Sequence, residues 1–63
     1  MVKTVAKIVS NGHYRVSYDD TEQMNPYTVY REWYDKGWHS KKLASYADMV
    51  SCMYHITEEI IKH

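Results

Sequence analysis

The 63-residue chain contains no Phe, one Pro, two Gly and a single Cys. One cysteine excludes an internal disulfide, and a free thiol is typical of a reducing compartment, so we expect a cytoplasmic protein. Val, Ile and Leu together number eleven. A core this small contributes only about 3–5 kcal/mol unless something else stabilises it. The length allows one small domain, residues 1–63.

Long apolar runs and an excess charge are also missing. No segment approaches the ~20 apolar residues of a membrane span, and the charged N-terminus is not a signal peptide. Eight Lys and Arg balance eight Asp and Glu, which argues against a purely electrostatic nucleic-acid binder. The charges are nevertheless segregated. Basic residues prevail in the expected strands and acidic residues in the expected C-terminal helix.

Tyr and Trp supply all the aromatic side chains, seven and two respectively. Five of these nine lie between positions 27 and 38: Tyr27, Tyr30, Trp33, Tyr34 and Trp38. Both side chains have an apolar body and a polar tip, which suits half-buried surfaces and surfaces that meet a partner. The composition therefore favours recognition over catalysis.

The Asn11-Gly12 dipeptide predicts a β-hairpin, because both positions of a type I′ turn need positive φ. The flanking segments, 2–10 and 13–19, are rich in β-branched and alternating residues. With a two-residue loop, the pairs predicted to share one face are Val9–Tyr14, Lys7–Val16 and Val5–Tyr18. The other face then carries Ala6, Ile8, Arg15 and Ser17.

Residues 26–36 allow two interpretations. Asn25-Pro26 is a good helix start and Gly37 a good helix end. Against this, the Tyr, Trp, Thr and Val content favours a strand, and 35–37 fits a three-residue hairpin loop made of a type I turn closed by a left-handed Gly. We favour the second hairpin. Its predicted pairs are Tyr34–Trp38, Trp33–His39, Tyr30–Lys42 and Val29–Leu43.

The C-terminal segment predicts a helix. Ser45 and Asp48 have the spacing of a capping box, and an apolar stripe follows at helical intervals: Met49, Met53, Ile56 and Ile60. The predicted fold is therefore α+β, with a four-stranded antiparallel sheet of two β-hairpins and one C-terminal helix packed on one face. The sequence leaves open which sheet face forms the core.

A cluster on one flank of this helix has the residue types of a thiol catalyst: Asp48, Cys52, His55 and Glu59. A Cys–His–carboxylate group can activate a thiolate, but no nucleophile loop or oxyanion-hole motif accompanies it. Cys52 and His55 are also the only closely spaced pair of metal-ligand types, and the other histidines are scattered: His13, His39 and His63. We expect no enzyme activity, no metal and no cofactor.

The second hairpin presents aromatic residues on both faces, and one helix can cover only one of them. The leftover set is an exposed patch, which commonly marks an interaction site. The predicted binding residues are Tyr30, Tyr34, Trp38, Arg31, Lys41 and Lys42. The expected partner is a protein, a second copy in a homodimer being the simplest case. The alternative is single-stranded nucleic acid, with bases stacked on the aromatics and Lys or Arg on the phosphates.

Three runs also carry a resemblance: Asn25-Pro26-Tyr27-x-x-Tyr30, Trp33-Tyr34-Asp35-Lys36-Gly37-Trp38-His39 and Tyr46-Ala47-Asp48. Because of these runs, the segment 25–56 resembles small proteins carried by Gram-positive bacteria, their phages and other mobile elements. The resemblance implies a small regulator or inhibitor that works by binding, and it implies no catalytic residue.

Overall fold

The computed structural model describes residues 1–62. His63, one of the scattered histidines noted in the sequence, lies outside the described residues. The elements of the fold are β1 (Val2–Val9), β2 (His13–Asp19), β3 (Tyr27–Tyr34), β4 (Trp38–Tyr46) and α1 (Met49–Lys62). The strands form an antiparallel sheet in the order β1-β2-β3-β4. The predicted α+β fold is confirmed. Of the two interpretations of residues 26–36, the strand is correct, because Tyr27–Tyr34 form β3.

The first hairpin has a different register from the predicted one. Its loop contains three residues, so Val9 pairs with His13, and Ile8 pairs with Tyr14. All three predicted pairs, Val9–Tyr14, Lys7–Val16 and Val5–Tyr18, are therefore wrong. A slip of one residue exchanges the two faces of a strand. The observed register buries Ala6 and Ile8 against the core, whereas the predicted register would have placed a lysine there.

The two hairpin loops, Ser10–Gly12 and Asp35–Gly37, have the same conformation. In each, the first N–H donates to the glycine carbonyl, over 3.0 and 2.9 Å. The central residues Asn11 and Lys36 have φ of 54° and 55°, and the glycines have φ of 136° and 133°. The length of the second loop is as predicted, but positive φ begins at Lys36 and not at the glycine. Asn tolerates this left-handed region better than Lys.

Each edge strand contains a bulge. In β1 the register shifts between Thr4 and Ala6. In the β3–β4 pairing Val29 pairs with Ala44 and Tyr30 with Lys42, which leaves Leu43 as the extra residue of β4. The predicted Val29–Leu43 pair is therefore wrong, although Leu43 still packs against the core. Bulges in edge strands hinder pairing with a further strand.

The helix begins one residue after Asp48. The Oδ1 atom of Asp48 accepts a hydrogen bond from the N–H of Ser51 over 2.8 Å, so Asp48 is the N-cap of α1. Ser45, the expected cap, lies in β4, and its hydroxyl is 3.1 Å from that of Thr28. The strand includes Ser45 and continues to Tyr46 because β3 still offers them partners, Thr28 and Tyr27 respectively.

The core lies between α1 and one face of the sheet. Its fully buried hydrophobic residues in the described part of the chain are Tyr14, Val16, Val29, Cys52 and Ile56. Tyr27, Leu43, Met49, Met53 and Ile60 pack around them. The core face is therefore the one that contains Val29 and Tyr27. No helix among residues 1–62 is long and apolar enough to cross a membrane.

Candidate binding face

The sheet face opposite α1, called the open face here, carries the side chains that alternate with the core residues. Val16 and Val29 are paired neighbours and both are buried in the core. Because successive side chains point to opposite faces of a strand, the next row lies on the open face. That row contains Lys7, Arg15, Tyr30 and Lys42.

Trp38 lies across the open face. Its indole approaches the imidazole of His13 edge-on, with ring centroids 5.4 Å apart and an interplanar angle of 74°. His13 belongs to β2, so the side chain from β4 passes over β3. The ring of Tyr34 is 5.7 Å from the indole, again edge-on. Trp38 and Tyr34 are nevertheless 63% and 69% exposed. We call His13, Tyr34 and Trp38 the aromatic cluster.

A depression of about 310 Å³ lies between the indole and the β1 edge of the sheet. It is bordered by an ammonium group, a carboxylate and apolar groups, which come from Lys7, Glu32, Val9 and Trp38. Val9 is 72% exposed. The aromatic cluster thus forms one wall of a groove with both charged and apolar borders. Such mixed borders are typical of places where a partner side chain is held in a fixed orientation.

Arg15 organises the middle of the open face. Its guanidinium carbon lies 4.3 Å from the centre of the Tyr30 ring, within the range of a cation–π contact. Its Nε atom donates to Oε2 of Glu32 over 3.2 Å, and both side chains are half-buried. The contact fixes Tyr30 and covers one side of its ring. The ion pair engages Arg15, and Lys7 and Lys42 are the other two cations of this row.

The opposite end of the open face is acidic. A second depression, of about 380 Å³, is bordered by Asp19, Glu22, Thr28, Lys42 and Ser45. The Asp19 carboxylate accepts hydrogen bonds from the hydroxyl and the backbone N–H of Thr21, which lower the pKa of Asp19. Asp19 is therefore ionised at neutral pH. The open face consequently has an aromatic end next to the hairpin loops and an acidic end next to the 20–26 loop.

The structure divides the six predicted binding residues between the two faces. Tyr30, Tyr34, Trp38 and Lys42 lie on the open face, as alternation predicted. Arg31 pairs with the core residue Tyr14 on one side and with Lys41 on the other. Arg31 and Lys41 therefore lie on the α1 side of the sheet and do not join the other four.

Four residues of the first hairpin were missing from the predicted site: Lys7, Val9, His13 and Arg15. Lys7 and Val9 share a face with Tyr30 because the three-residue loop pairs them with Arg15 and His13, which the two-residue prediction did not allow. Arg15 and His13 lie on this face through the pairing of β2 with β3. The sequence did contain a signal for the observed register. Pairing Lys7 with Val16 would have placed a lysine on the core face, a costly arrangement without a partner.

The suggested thiol cluster on α1 is arranged differently from a catalytic group. Cys52 is fully buried, and burial, with the nearby Asp48 carboxylate, raises the pKa of its thiol. The ring nitrogens of His55 face other groups. Nδ1 is 2.6 Å from the Tyr46 hydroxyl, and Nε2 is 3.4 Å from Oε1 of Glu59. This chain of contacts fastens α1 to β4.

Metal-ligand types are not grouped in three or more anywhere in residues 1–62. Comparisons of the chain with known protein families, with curated proteins and with solved structures found no match. The geometry of the open face is therefore the feature of the molecule that bears on function.

Proposed function

We propose that this protein is a non-enzymatic binding module that docks on a protein partner through its open face. The observation that supports this most is the exposure of Trp38 and Tyr34 beside each other, 63% and 69%, on the face that α1 does not cover. Neighbouring exposed aromatics are uncommon on a surface without a partner. Trp, Tyr and Arg are also the residues in which interfaces concentrate their binding energy.

The surroundings of these aromatics support a protein partner. Arg15, Glu32 and Tyr30 are held together by the ion pair and the cation–π contact. Side chains that are already ordered lose little entropy when a partner binds. The Glu32 carboxylate would repel a phosphate backbone near the aromatic cluster, whereas a protein can meet it with a donor.

Single-stranded nucleic acid is the second candidate, and one observation favours it. Lys7 and Lys42 lie in the same row as Tyr30, at the two outer strands of the open face. Bases could stack on Trp38 and Tyr34 while the lysines contact phosphates. Because Arg15 covers one side of the Tyr30 ring, this surface offers fewer stacking positions than its composition suggests.

The test compares the material that binds to the wild type with the material that binds to a double variant, Tyr34→Ala with Trp38→Ala. Tagged proteins are incubated with cell lysate, with and without nuclease, and bound material is identified by mass spectrometry. The matched control is Trp33→Ala with Tyr54→Ala, because these side chains are also exposed, 42% and 71%, but lie away from the open face.

We expect a specific protein to bind the wild type and the control, to survive nuclease and to be lost from the Tyr34/Trp38 variant. Circular dichroism should show the same fold for all three proteins. Capture that is equal in all three would exclude the open face as the docking surface. Bound material that disappears with nuclease, and whose binding weakens steeply with salt, would favour the nucleic-acid candidate.

A further inference from the structure

The edges of the sheet are poorly suited to association. Strand β1 has a bulge near Val5 and carries Lys3 and Lys7, and β4 has a bulge at Leu43 next to Lys41 and Lys42. Bulges and edge lysines are the devices by which proteins prevent strand-to-strand pairing. Helix α1 already covers the core face. An association of this chain through its sheet must therefore use the open face.

We infer that a second copy of the chain occupies the open face, in a two-fold dimer in which the aromatic end of each face lies over the acidic end of the other. This inference rests on the proposed function, because it names the protein partner. The strands of the two sheets then run in opposite directions across the interface, and every contact occurs twice.

Charge complementarity decides the orientation. Lys7 and the aromatic cluster lie towards the hairpin loops, and Asp19 and Glu22 lie at the opposite end of the open face. If the hairpin loops of both copies met, their lysines would face each other. With the ends reversed, Lys7 of each copy approaches Asp19 and Glu22 of its partner, whereas Lys42 borders the carboxylates of its own chain. Opposite charges placed this way select one orientation over others.

The middle of the open face is shaped for close contact. Ser17, Thr28 and Ser45 form one row across β2, β3 and β4. Their side chains are small, and those of Thr28 and Ser45 are partly exposed. A two-fold axis near this row lets two sheets approach to the usual separation of about 10 Å.

The size of the face also fits a dimer. The molecule measures 33 × 26 × 15 Å, so the rectangle that bounds its two longer dimensions encloses roughly 860 Å², which leaves room for the ~800 Å² per partner of a standard stable interface. The core, by contrast, is small, and chains of this length often gain stability by association. A dimer would cover Tyr34, Trp38 and Val9, which are among the most exposed apolar residues.

Two charge-reversal variants test the inference. The first carries Lys7→Glu and Lys42→Glu, which makes the open face acidic. The second carries Asp19→Lys and Glu22→Lys, which makes the acidic end basic. Sedimentation velocity over a range of concentrations gives the dissociation constant of each protein, and circular dichroism verifies that each is folded.

We expect the wild type to dimerise and each variant alone to dimerise at least about tenfold more weakly, because like charges would meet in the interface. An equimolar mixture should recover the dimer, since each reversed surface then meets a complementary one. The control, Lys3→Glu with Lys41→Glu, makes the same change in net charge on the opposite face. It should dimerise like the wild type.

A wild type that stays monomeric up to millimolar concentration would overturn the inference. So would variants that dimerise as well as the wild type, or a mixture that does not recover. The proposed function would survive these outcomes if capture of a different protein still depended on Tyr34 and Trp38. A monomer that binds a fluorescent oligothymidylate through the same residues would overturn both.

Discussion

The indole of Trp38 in β4 lies edge-on against the imidazole of His13 in β2, with centroids 5.4 Å apart, so that one side chain bridges the two hairpins. The contact crosses β3, which separates these strands in the sheet. It places the indole over the open face, although most of its surface is exposed. The position of the largest side chain of the candidate site therefore depends on a residue 25 positions earlier in the sequence.

Removal of the imidazole should release the indole. In a Trp33→Phe background Trp38 is the sole tryptophan, and His13→Ala should shift its fluorescence emission to longer wavelength and lower its anisotropy. The control is His39→Ala, because His39 stacks on Trp33, with centroids 5.6 Å apart. An unchanged Trp38 spectrum in the His13 variant would show that the contact does not position the indole.

Lys36→Asn should stabilise the protein. Lys36 has φ of 55°, a left-handed conformation that costs a non-glycine residue roughly 1–2 kcal/mol and that Asn adopts more readily. We expect the free energy of unfolding in urea to rise by about 0.5–1 kcal/mol. Asn11, at the equivalent position of the first loop, gives the reverse test. Asn11→Lys should lower the free energy of unfolding. Lysine adopts the left-handed conformation less readily, and the hydrogen bond from Asn11 Nδ2 to the Ile60 carbonyl would be lost.

Tyr14→Phe should also stabilise. Tyr14 is 1% exposed, and its hydroxyl has no hydrogen-bond partner among residues 1–62. An unsatisfied buried hydroxyl is unfavourable, so its removal should raise the free energy of unfolding by about 1 kcal/mol, or roughly 4–8 °C in Tm. Tyr46→Phe should have the opposite effect, because the Tyr46 hydroxyl contacts His55. A lower Tm for Tyr14→Phe would indicate a bound water or another partner.

The Asp48 cap should make stability depend on pH. Hydrogen bonds from Ser51 hold the pKa of Asp48 below its ordinary value of 3.8. A lowered pKa in the folded state stabilises the protein above pH 3.8, and this contribution is lost as the pH falls through the lower native pKa. Asp48→Asn keeps a capping side chain and should flatten the decline of Tm at acidic pH. Asp19, with its pKa lowered by Thr21, contributes in the same direction, so the double variant Asp19→Asn with Asp48→Asn should be flatter still.

The Cys52 thiol should react slowly while the protein is folded. Burial raises its pKa and blocks access to reagents, and the thiolate is the reactive form. Ellman's reagent at pH 8 should label the native protein at a rate that follows unfolding and increases with urea. Fast labelling without denaturant would mean that the side of α1 around Cys52 opens easily. The thiol cluster would then again be a candidate reactive site.

Local patterns in the sequence determined where the elements lie. Asn11-Gly12 and the 35–37 segment mark the two turns because few residues accept positive φ. Met49, Met53, Ile56 and Ile60 define the helix through their spacing, and β-branched and aromatic residues favour β3 over a helix. Alternation along β3 and β4 places Tyr30, Tyr34 and Trp38 on one face. This inference needs only the residues of one hairpin and no contact with distant residues.

The tertiary structure decided the register of the first hairpin, both bulges and the membership of the open face. Each of these depends on which side chains the core accepts. Packing of Ile8 and Ala6 against the core, in place of Lys7, put Lys7 and Val9 on the face of Arg15 and Tyr30. The bulge at Leu43 kept that side chain in the core and put Ser45 opposite Thr28, on the open face. Short-range patterns cannot fix such choices, because a shift of one residue leaves local propensity unchanged and alters only contacts between distant strands.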